Sequence, residues 1–190
     1  MVSDWIELAA VVLALTYVVL AIYQWRICWV AAAISAALYG WIFGQVQLYL
    51  ESALQLFYLV MAGYGWVVWR RGAEAEDLAI TTRGTAFHGR LLAMILVGTL
   101  LLGAGAHSLT DAMYPYFDAF TTVSALIATW MTARKILENW LYWIAIDAVS
   151  IGLYLSRDLQ LTAALFGGYV LLAILGYRTW RWQWQHQMQR

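Results

Sequence analysis

Long apolar stretches separated by short polar ones dominate the sequence. Five windows lack Asp, Glu, Lys and Arg altogether: residues 8–25, 27–50, 52–69, 91–110 and 159–177. A shorter window covers 119–133, and the stretch 139–156 is interrupted only by Asp147. A helix that crosses the hydrocarbon core of a bilayer needs about 20 mostly apolar residues. The pattern therefore predicts an all-α membrane protein with seven transmembrane helices.

Composition agrees with a membrane protein and excludes several other classes. Hydrophobic residues make up 64% of the 190 residues and charged residues 12%, whereas soluble domains have about 45–50% and about 25%. Eleven basic and eleven acidic residues leave no net charge that would attract nucleic acid. One cysteine excludes an internal disulfide and a multi-cysteine metal site. Because nucleotide-loop, metal and nucleophile motifs are also absent from the sequence, we expect no enzyme, no catalytic residues, no cofactor and no metal.

Basic residues are distributed unevenly between the predicted loops. With seven spans, the segments near 44–51, 110–118 and 157–159 share the side of the N-terminus and carry one basic residue, Arg157. The opposite side carries the other ten. Cytoplasmic loops are enriched in Lys and Arg, so the N-terminus is predicted outside and the C-terminus in the cytoplasm. The first apolar run lacks a basic region before it, so we expect a retained helix rather than a signal peptide.

Two parts of the chain resemble each other. Trp25 precedes Tyr39 by 14 residues, as Trp140 precedes Tyr154. Farther along, Gln47-Leu48 precedes Gly63-Tyr64 by 16 residues, as Gln160-Leu161 precedes Gly176-Tyr177. Together, in the same order, these spacings favour a duplication.

A duplicated three-helix unit joined by one linking helix has a defined topology. Three helices end on the opposite side of the membrane from where they begin, and one more helix restores the starting side. We therefore predict a 3+1+3 parallel repeat: residues 1–72 form the first unit, 73–112 the linker with the linking helix, and 113–190 the second unit. Transporters built from repeats bind their ligand near the midplane at the repeat interface. A duplicated scaffold without a cavity is the alternative.

The sixth predicted span carries the most unusual polar residue. Trp140, Trp143, Asp147, Ser150 and Tyr154 are spaced 3, 4, 3 and 4 apart, which places them on one helical face. A charge within the membrane is costly and usually faces a pathway or the bundle interior. This face is therefore interpreted as the lining of a cavity. Alternatively, Asp147 is a structural hydrogen-bond partner for another helix.

Further polar residues are candidates with more ordinary explanations. Asn139 suits an N-cap of the sixth span, a role that does not exclude ligand contact, and Asp118 suits one for the fifth. On the third span, Gln55 and Tyr58 share a face with Glu51, which we expect to be solvated. Hydroxyls of the fifth span, including Thr121, Ser124, Thr129 and Thr132, can bond back to their own helix or across to another.

These side chains suit a flat heteroaromatic ligand. Aromatic faces stack a ring, while amides, hydroxyls and a carboxylate bind sugar or amide groups. No cluster of Lys or Arg lies within the spans, so a phosphate-bearing ligand is disfavoured. His88, His107 and His186 are expected to be solvated.

Several motifs together resemble the PnuC-type vitamin transporter family. The segments LQLFY (54–58) and YGWVVW (64–69) are similar to its LQxxY and YGWxxW pattern. ARKILENWLYW (133–143) resembles its RKxxENWxxW segment, Asp147 follows at the position of an acidic residue, and GYRTW (176–180) matches its GYxxW ending. The similarity covers about residues 20–70 and 115–182.

The resemblance implies a function and a site. It implies a SWEET-like fold and a bacterial inner-membrane facilitator of nicotinamide riboside, a precursor for NAD biosynthesis, which is trapped by cytosolic phosphorylation. A homotrimer surrounded by membrane lipid is implied as well. The substrate contacts carried over are Gln55, Tyr58, Asn139, Trp140, Trp143 and Asp147. Thr121, Ser124, Ser150 and Tyr154 are further candidates.

Two alternatives to this function stay open. Relatives in the family carry thiamine or riboflavin, and both thiamine and nicotinamide riboside contain a cationic ring that a carboxylate and aromatic side chains would attract. A thiamine transporter, or one for another ring-containing vitamin, is therefore the alternative within the family. An alternative of a different class is a membrane receptor or assembly subunit that binds without translocating.

Overall fold

The computed structural model describes residues 4–45, 49–75, 78–109, 113–156, 158, 160–187 and 189. Seven helices account for most of them: α1 (Asp4–Ile22), α2 (Cys28–Gln45), α3 (Tyr49–Ala75), α4 (Thr85–Leu109), α5 (Pro115–Ala133), α6 (Asn139–Leu155) and α7 (Gln160–Gln187). Outside the described residues lie Gln47, Leu48, Arg157, Arg190 and the side chain of Glu51, all used in the sequence analysis. The predicted all-α fold with seven helices is confirmed.

Four of these helices are long and apolar enough to cross a membrane by length and composition. They correspond to Trp5–Ile22, Cys28–Gln45, Thr85–Leu109 and Thr162–Gln187. Their outer surfaces are apolar: on α4, Leu96, Leu100 and Leu101 are exposed, as expected of side chains that face lipid. The remaining three helices are shorter or more polar. α6 has 17 residues and contains Asp147.

The chain divides into two compact units, one ending at Ala79 and the other beginning at Ile80. In the first unit, α2 packs against both α1 and α3. In the second, α6 packs against both α5 and α7, and α4 packs on α5. Among α1–α3 the central helix is therefore α2, among α5–α7 it is α6, and α4 belongs to the second unit through its packing on α5.

A pair of tryptophans meets at right angles in each unit. The rings of Trp29 and Trp69 are 5.5 Å apart with an interplanar angle of 88°. Those of Trp140 and Trp180 are 5.4 Å apart at 89°. In each unit the first tryptophan packs directly over a helical glycine, Gly65 or Gly176. Each residue of the second set lies 111 positions after its counterpart.

The turns before these tryptophans also share a conformation. Gln24 and Lys135 have positive φ angles of 57° and 49°, and they too are 111 residues apart. This left-handed residue ends one helix and reverses the chain toward the next. The structural counterpart of Trp140 is therefore Trp29, whereas the sequence spacing paired it with Trp25. The register of the predicted similarity was shifted by four residues at this point.

The helix starts differ from the predicted caps. α5 begins at Pro115, with Tyr114 at the N-cap position. Proline suits the first helical turn because its missing N–H would be unpaired there, and Asp118 lies in that turn, near the positive end of the helix dipole. α6 has Glu138 at the N-cap position without a side-chain cap bond. The predictions that Asp118 and Asn139 are N-caps were wrong.

Candidate functional site

Buried polar side chains are concentrated on two helices of the second unit. Among the described residues, those classed as buried and polar or charged are Ser35, Ser124, Thr129, Thr132, Asn139, Asp147 and Ser150. All except Ser35 belong to α5 or α6. These two helices pack against each other. The polar interior of the second unit therefore lies along one helix pair, and we treat it as the candidate site.

Asp147 is the only charged member of this buried set in the described part of the chain. It is 6% exposed, and no hydrogen bond or ion pair joins its carboxylate to another described residue. Its neighbour Ile146 packs with Ala125 and Ala128 in an apolar cluster. A carboxylate in such surroundings is costly unless something polar reaches it. The alternative that Asp147 is a structural hydrogen-bond partner for another helix is therefore not supported by any bond among the described residues.

A chain of hydrogen bonds, here called the Thr132 chain, connects Asn139, Thr132 and Trp143. The Thr132 hydroxyl donates to Asn139 Oδ1 at 2.9 Å, with Ala128 O as an alternative acceptor at 2.9 Å. Trp143 Nε1–H donates to Thr132 Oγ1 at 3.4 Å. Asn139 is fully buried, and its Nδ2 donates to Ile136 O at 2.7 Å. The geometry makes Asn139 a support for Trp143.

The two tryptophans of α6 present different groups. Trp143 is partly exposed, so part of its ring is available for stacking. Trp140 is 3% exposed and packs on Gly176 and Trp180. Its indole Nε1–H is buried without a hydrogen-bond partner in the described part of the chain, as is the Ser124 hydroxyl. Trp140 is therefore better placed to donate a hydrogen bond to a ligand than to stack against it.

Most of the other hydroxyls in the site bond to their own helix. Thr121 donates to Asp118 O at 3.0 Å, Thr129 to Ala125 O at 2.7 Å and Ser150 to Ile146 O at 2.9 Å. This back-bonding is the ordinary explanation that the sequence allowed. Tyr154, at the far end of the same helical face, has its ring 5.1 Å from that of Phe166 on α7.

Gln55 and Tyr58 belong to the first unit and lie on α3. Gln55 lines a pocket of about 460 Å³ between α2 and α3, together with Ala36, Ala37, Gly40, Ser52, Leu56 and Leu59. Within this pocket the Ser52 hydroxyl donates to Gly40 O at 3.0 Å. The Tyr58 ring is 5.8 Å from that of Phe57 in an edge-to-face arrangement. Apart from Ser52, whose hydroxyl bonds to Gly40 O, the other side chains that line this pocket are apolar, and the Gln55 amide remains a candidate for ligand contact.

A cluster around the start of α6 was missed by the sequence analysis. His88 is partly buried, its Nδ1 is hydrogen-bonded to the Tyr142 hydroxyl at 3.0 Å, and its Nε2 lies 3.9 Å from Glu138 Oε2. The expectation that His88 is solvated was wrong. The one feature of the sequence that pointed to this cluster is Glu138, the acidic residue of the ENW motif. No group of metal-binding residues occurs among the described residues.

Comparison with known proteins gives a consistent family. Residues 4–182 match the family described as nicotinamide mononucleotide transporter. The nicotinamide riboside transporter PnuC of Escherichia coli (strain K12) is 26% identical over 204 residues, covering 93% of this chain and 85% of that protein. The riboflavin/roseoflavin transporter RibM of Streptomyces davaonensis is 25% identical over 134 residues, covering 68% of this chain and 63% of RibM.

A solved structure has the same fold. The crystal structure of the vitamin B3 transporter PnuC aligns with a TM-score of 0.76 over 97% of this chain and 83% of that one. At 23% identity the likeness shows the fold alone.

Proposed function

Because the chain belongs to the nicotinamide mononucleotide transporter family, of PnuC type, we propose that it takes up nicotinamide riboside by facilitated diffusion across the bacterial inner membrane. The riboside is then trapped by cytosolic phosphorylation. The observation that carries the choice of ligand is the buried carboxylate of Asp147, which has no bonding partner among the described residues and lies on the same helix as the partly exposed ring of Trp143. A cationic aromatic ring satisfies both groups.

The chemistry of the site favours a riboside over its mononucleotide. The pyridinium of nicotinamide riboside gains a charge interaction with Asp147 and a cation–π contact with Trp143 worth about 0.5–2 kcal/mol. Phosphate is bound in proteins chiefly by Arg, Lys and helix N-termini. The buried polar set of the described residues contains no Lys or Arg, and Asp147 would repel a phosphate. The unphosphorylated ligand is therefore the better match.

The membrane arrangement is part of the same proposal. Seven crossings form a SWEET-like 3+1+3 parallel repeat, with the N-terminus outside and the C-terminus in the cytoplasm. The recurrence of the tryptophan–glycine packing 111 residues apart supports a duplication, and the ten-to-one distribution of basic residues supports the orientation. Gln55 and Tyr58 are the ligand contacts we propose for the first repeat, and a homotrimer is the assembly we propose.

A second vitamin remains a specific alternative. The similarity to RibM over 68% of the chain supports a transporter for another ring-containing vitamin such as riboflavin, and thiamine shares the cationic ring. Riboflavin has no fixed positive charge, so removal of the Asp147 charge distinguishes it from the two cations. A receptor that does not translocate would bind ligand without accumulation inside vesicles.

The decisive experiment measures riboside binding and uptake with and without the Asp147 charge. Purified protein and its Asp147→Asn variant are compared for riboside affinity and for uptake into ion-equilibrated proteoliposomes. Asp147→Asn removes the charge interaction with the pyridinium, and each loss of about 1.4 kcal/mol is a factor of ten, so riboside affinity should fall roughly ten-fold or more. Affinity for a neutral nicotinamide analogue should change much less. The exposed Asp158→Asn variant in the loop before α7 is the matched control and should behave as the wild type.

Three results would contradict the proposal. Equal losses for the cationic and neutral ligands would mean that Asp147 does not recognise charge. Unchanged affinity with a lower melting temperature would make Asp147 a structural residue. Binding without lumenal riboside would favour the receptor.

A further inference from the structure

A short segment before α4 lies against the turn that leads into the candidate site. Residues 80–84, here called the strap, form one parallel β-bridge with residues 134–138, the α5–α6 turn, through Thr81 and Ile136. Thr81 N–H donates to Lys135 O at 3.0 Å, and Leu137 N–H donates to Thr81 O at 2.8 Å. Backbone pairing of this kind fixes the position of one segment against the other.

Glu138 ties the same turn to the strap and to α4 by its side chain. Its Oε1 accepts a hydrogen bond from the Arg83 N–H at 3.3 Å. Its Oε2 lies 3.9 Å from His88 Nε2, and His88 Nδ1 is hydrogen-bonded to the Tyr142 hydroxyl one turn further along α6. The contacts of Glu138 thus connect the strap, α4 and the start of α6 within the second unit.

The α5–α6 turn is directly joined to Asn139, the residue that supports Trp143 in the candidate site. Asn139 follows Glu138 directly, and its side-chain amide donates to Ile136 O in the middle of the turn. Through Thr132 the same residue determines where the Trp143 indole lies. A displacement of the turn would therefore displace the Thr132 chain.

The equivalent turn of the first unit, between α1 and α2, shows that a turn of this conformation can form without a segment packed over it. Trp25 and Ile27, the counterparts of Ile136 and Glu138, are 61% and 47% exposed, whereas Ile136 is 1% exposed. The left-handed residue and the local backbone bonds are the same in both turns. The contact with the strap occurs in the second unit, which contains all the buried polar residues of the described part of the chain except Ser35.

We propose that the strap, together with His88 and Glu138, clamps the α5–α6 turn and so orders the Thr132 chain, which makes Glu138 a positioning residue. The role in ligand affinity rests on the proposed transport function, whereas the clamp is a property of the protein without ligand. Glu138 itself does not contact the substrate in this arrangement. It acts through Asn139.

The test combines hydrogen exchange of the ligand-free protein with riboside uptake, both on the full chain in lipid nanodiscs or liposomes. Glu138→Ala removes the acceptor of the Arg83 N–H and the partner of His88. The Leu137 amide, whose bond to Thr81 depends on the clamp, should exchange about ten-fold faster. Riboside half-saturation should rise about five-fold or more. Glu138→Gln keeps an acceptor oxygen and should lie closer to the wild type on both measures.

The matched control is Ile27→Ala, at the equivalent position of the exposed α1–α2 turn. It should leave exchange at Leu137 and riboside uptake unchanged. If Glu138→Ala does not fold, Thr81→Pro replaces it, because proline removes the donor to Lys135 O from the strap and leaves the turn sequence intact. Faster exchange at Leu137 is expected there too.

Each outcome decides a separate claim. Unchanged exchange at Leu137 in Glu138→Ala overturns the clamp. Faster exchange with unchanged half-saturation overturns the positioning role and leaves a structural contact. If the wild type takes up neither riboside, thiamine nor riboflavin, the proposed function fails, and the exchange comparison alone then supports or overturns the clamp.

Discussion

Replacing Gly176 by alanine tests how closely α6 and α7 pack behind the candidate site. A Cβ on Gly176 would lie 2.6 Å from each of three ring atoms of Trp140. Carbon atoms pack favourably at about 3.5–4.0 Å, so the helices or the ring must separate by roughly 1 Å. The Trp140 ring cannot move away easily, because it is rigid and already contacts the buried Trp180.

The cost can be estimated against a control on the same helix. Overpacking of this kind destabilises by about 1–3 kcal/mol, whereas alanine in place of glycine within a helix gains about 0.8–1.0 kcal/mol. A Cβ on Gly168 meets no atom within 4 Å, so Gly168→Ala should show the gain alone. The helix contribution cancels between the two variants, and Gly176→Ala should be less stable than Gly168→Ala by about 1–3 kcal/mol.

Melting temperatures in detergent measure this difference. A chain of this size shifts by about 2–4 °C for each kcal/mol, so the two variants should differ by several degrees. Riboside uptake should fall in Gly176→Ala, because Trp140 and Trp143 lie one turn apart on α6, and should be kept in Gly168→Ala. Equal stability and uptake in the two variants would refute the close packing of Trp140 on Gly176.

Two further predictions address the site and the topology. Asn139→Ala should lower riboside affinity by roughly ten-fold, because it removes the Thr132 chain. Cys28→Ala, at the equivalent position of the first unit, should leave affinity unchanged. Similar losses of affinity in titrations of both variants would contradict the special role of Asn139. A C-terminal fluorescent fusion should be bright and a C-terminal alkaline phosphatase fusion inactive, since a cytoplasmic C-terminus is expected, and the opposite pair of results would overturn the seven-crossing topology.

The number and order of helices could be predicted because each helix has its own apolar stretch. Charged and small polar residues separate the windows, and all seven helices appear in order along the chain. Helix ends were harder to predict. Asn139 looks like an N-cap by residue type, but its side chain bonds back to Ile136 and across to Thr132. A capping preference is local, and here tertiary hydrogen bonds determine the outcome.

Parts of the candidate site could be predicted for a similar reason. Helical spacing placed Trp140, Trp143 and Asp147 on one face, but it could not show that Trp140 is covered by Gly176 while Trp143 is partly exposed. The contact of the strap with the α5–α6 turn could not be predicted from the sequence, because Thr81 and Lys135 are far apart in sequence and are joined by backbone hydrogen bonds. Such bonds do not depend on which side chains the residues have.

The two units share several packing features but differ in their buried polar residues. Both contain the left-handed turn and the perpendicular tryptophan pair over a glycine. At the positions of Asn139, Trp143 and Asp147, 111 residues earlier, the first unit has Cys28, Ala32 and Ala36.

Small side chains at these three positions let α2 pack closely against its neighbours, as Cys28 and Ala36 do. The shared features therefore account for helix packing, since they occur where the polar residues are absent. The residues that differ account for ligand recognition in the proposed function. Substitutions at the shared glycines should change stability first, and substitutions at the polar positions of α6 should change selectivity first.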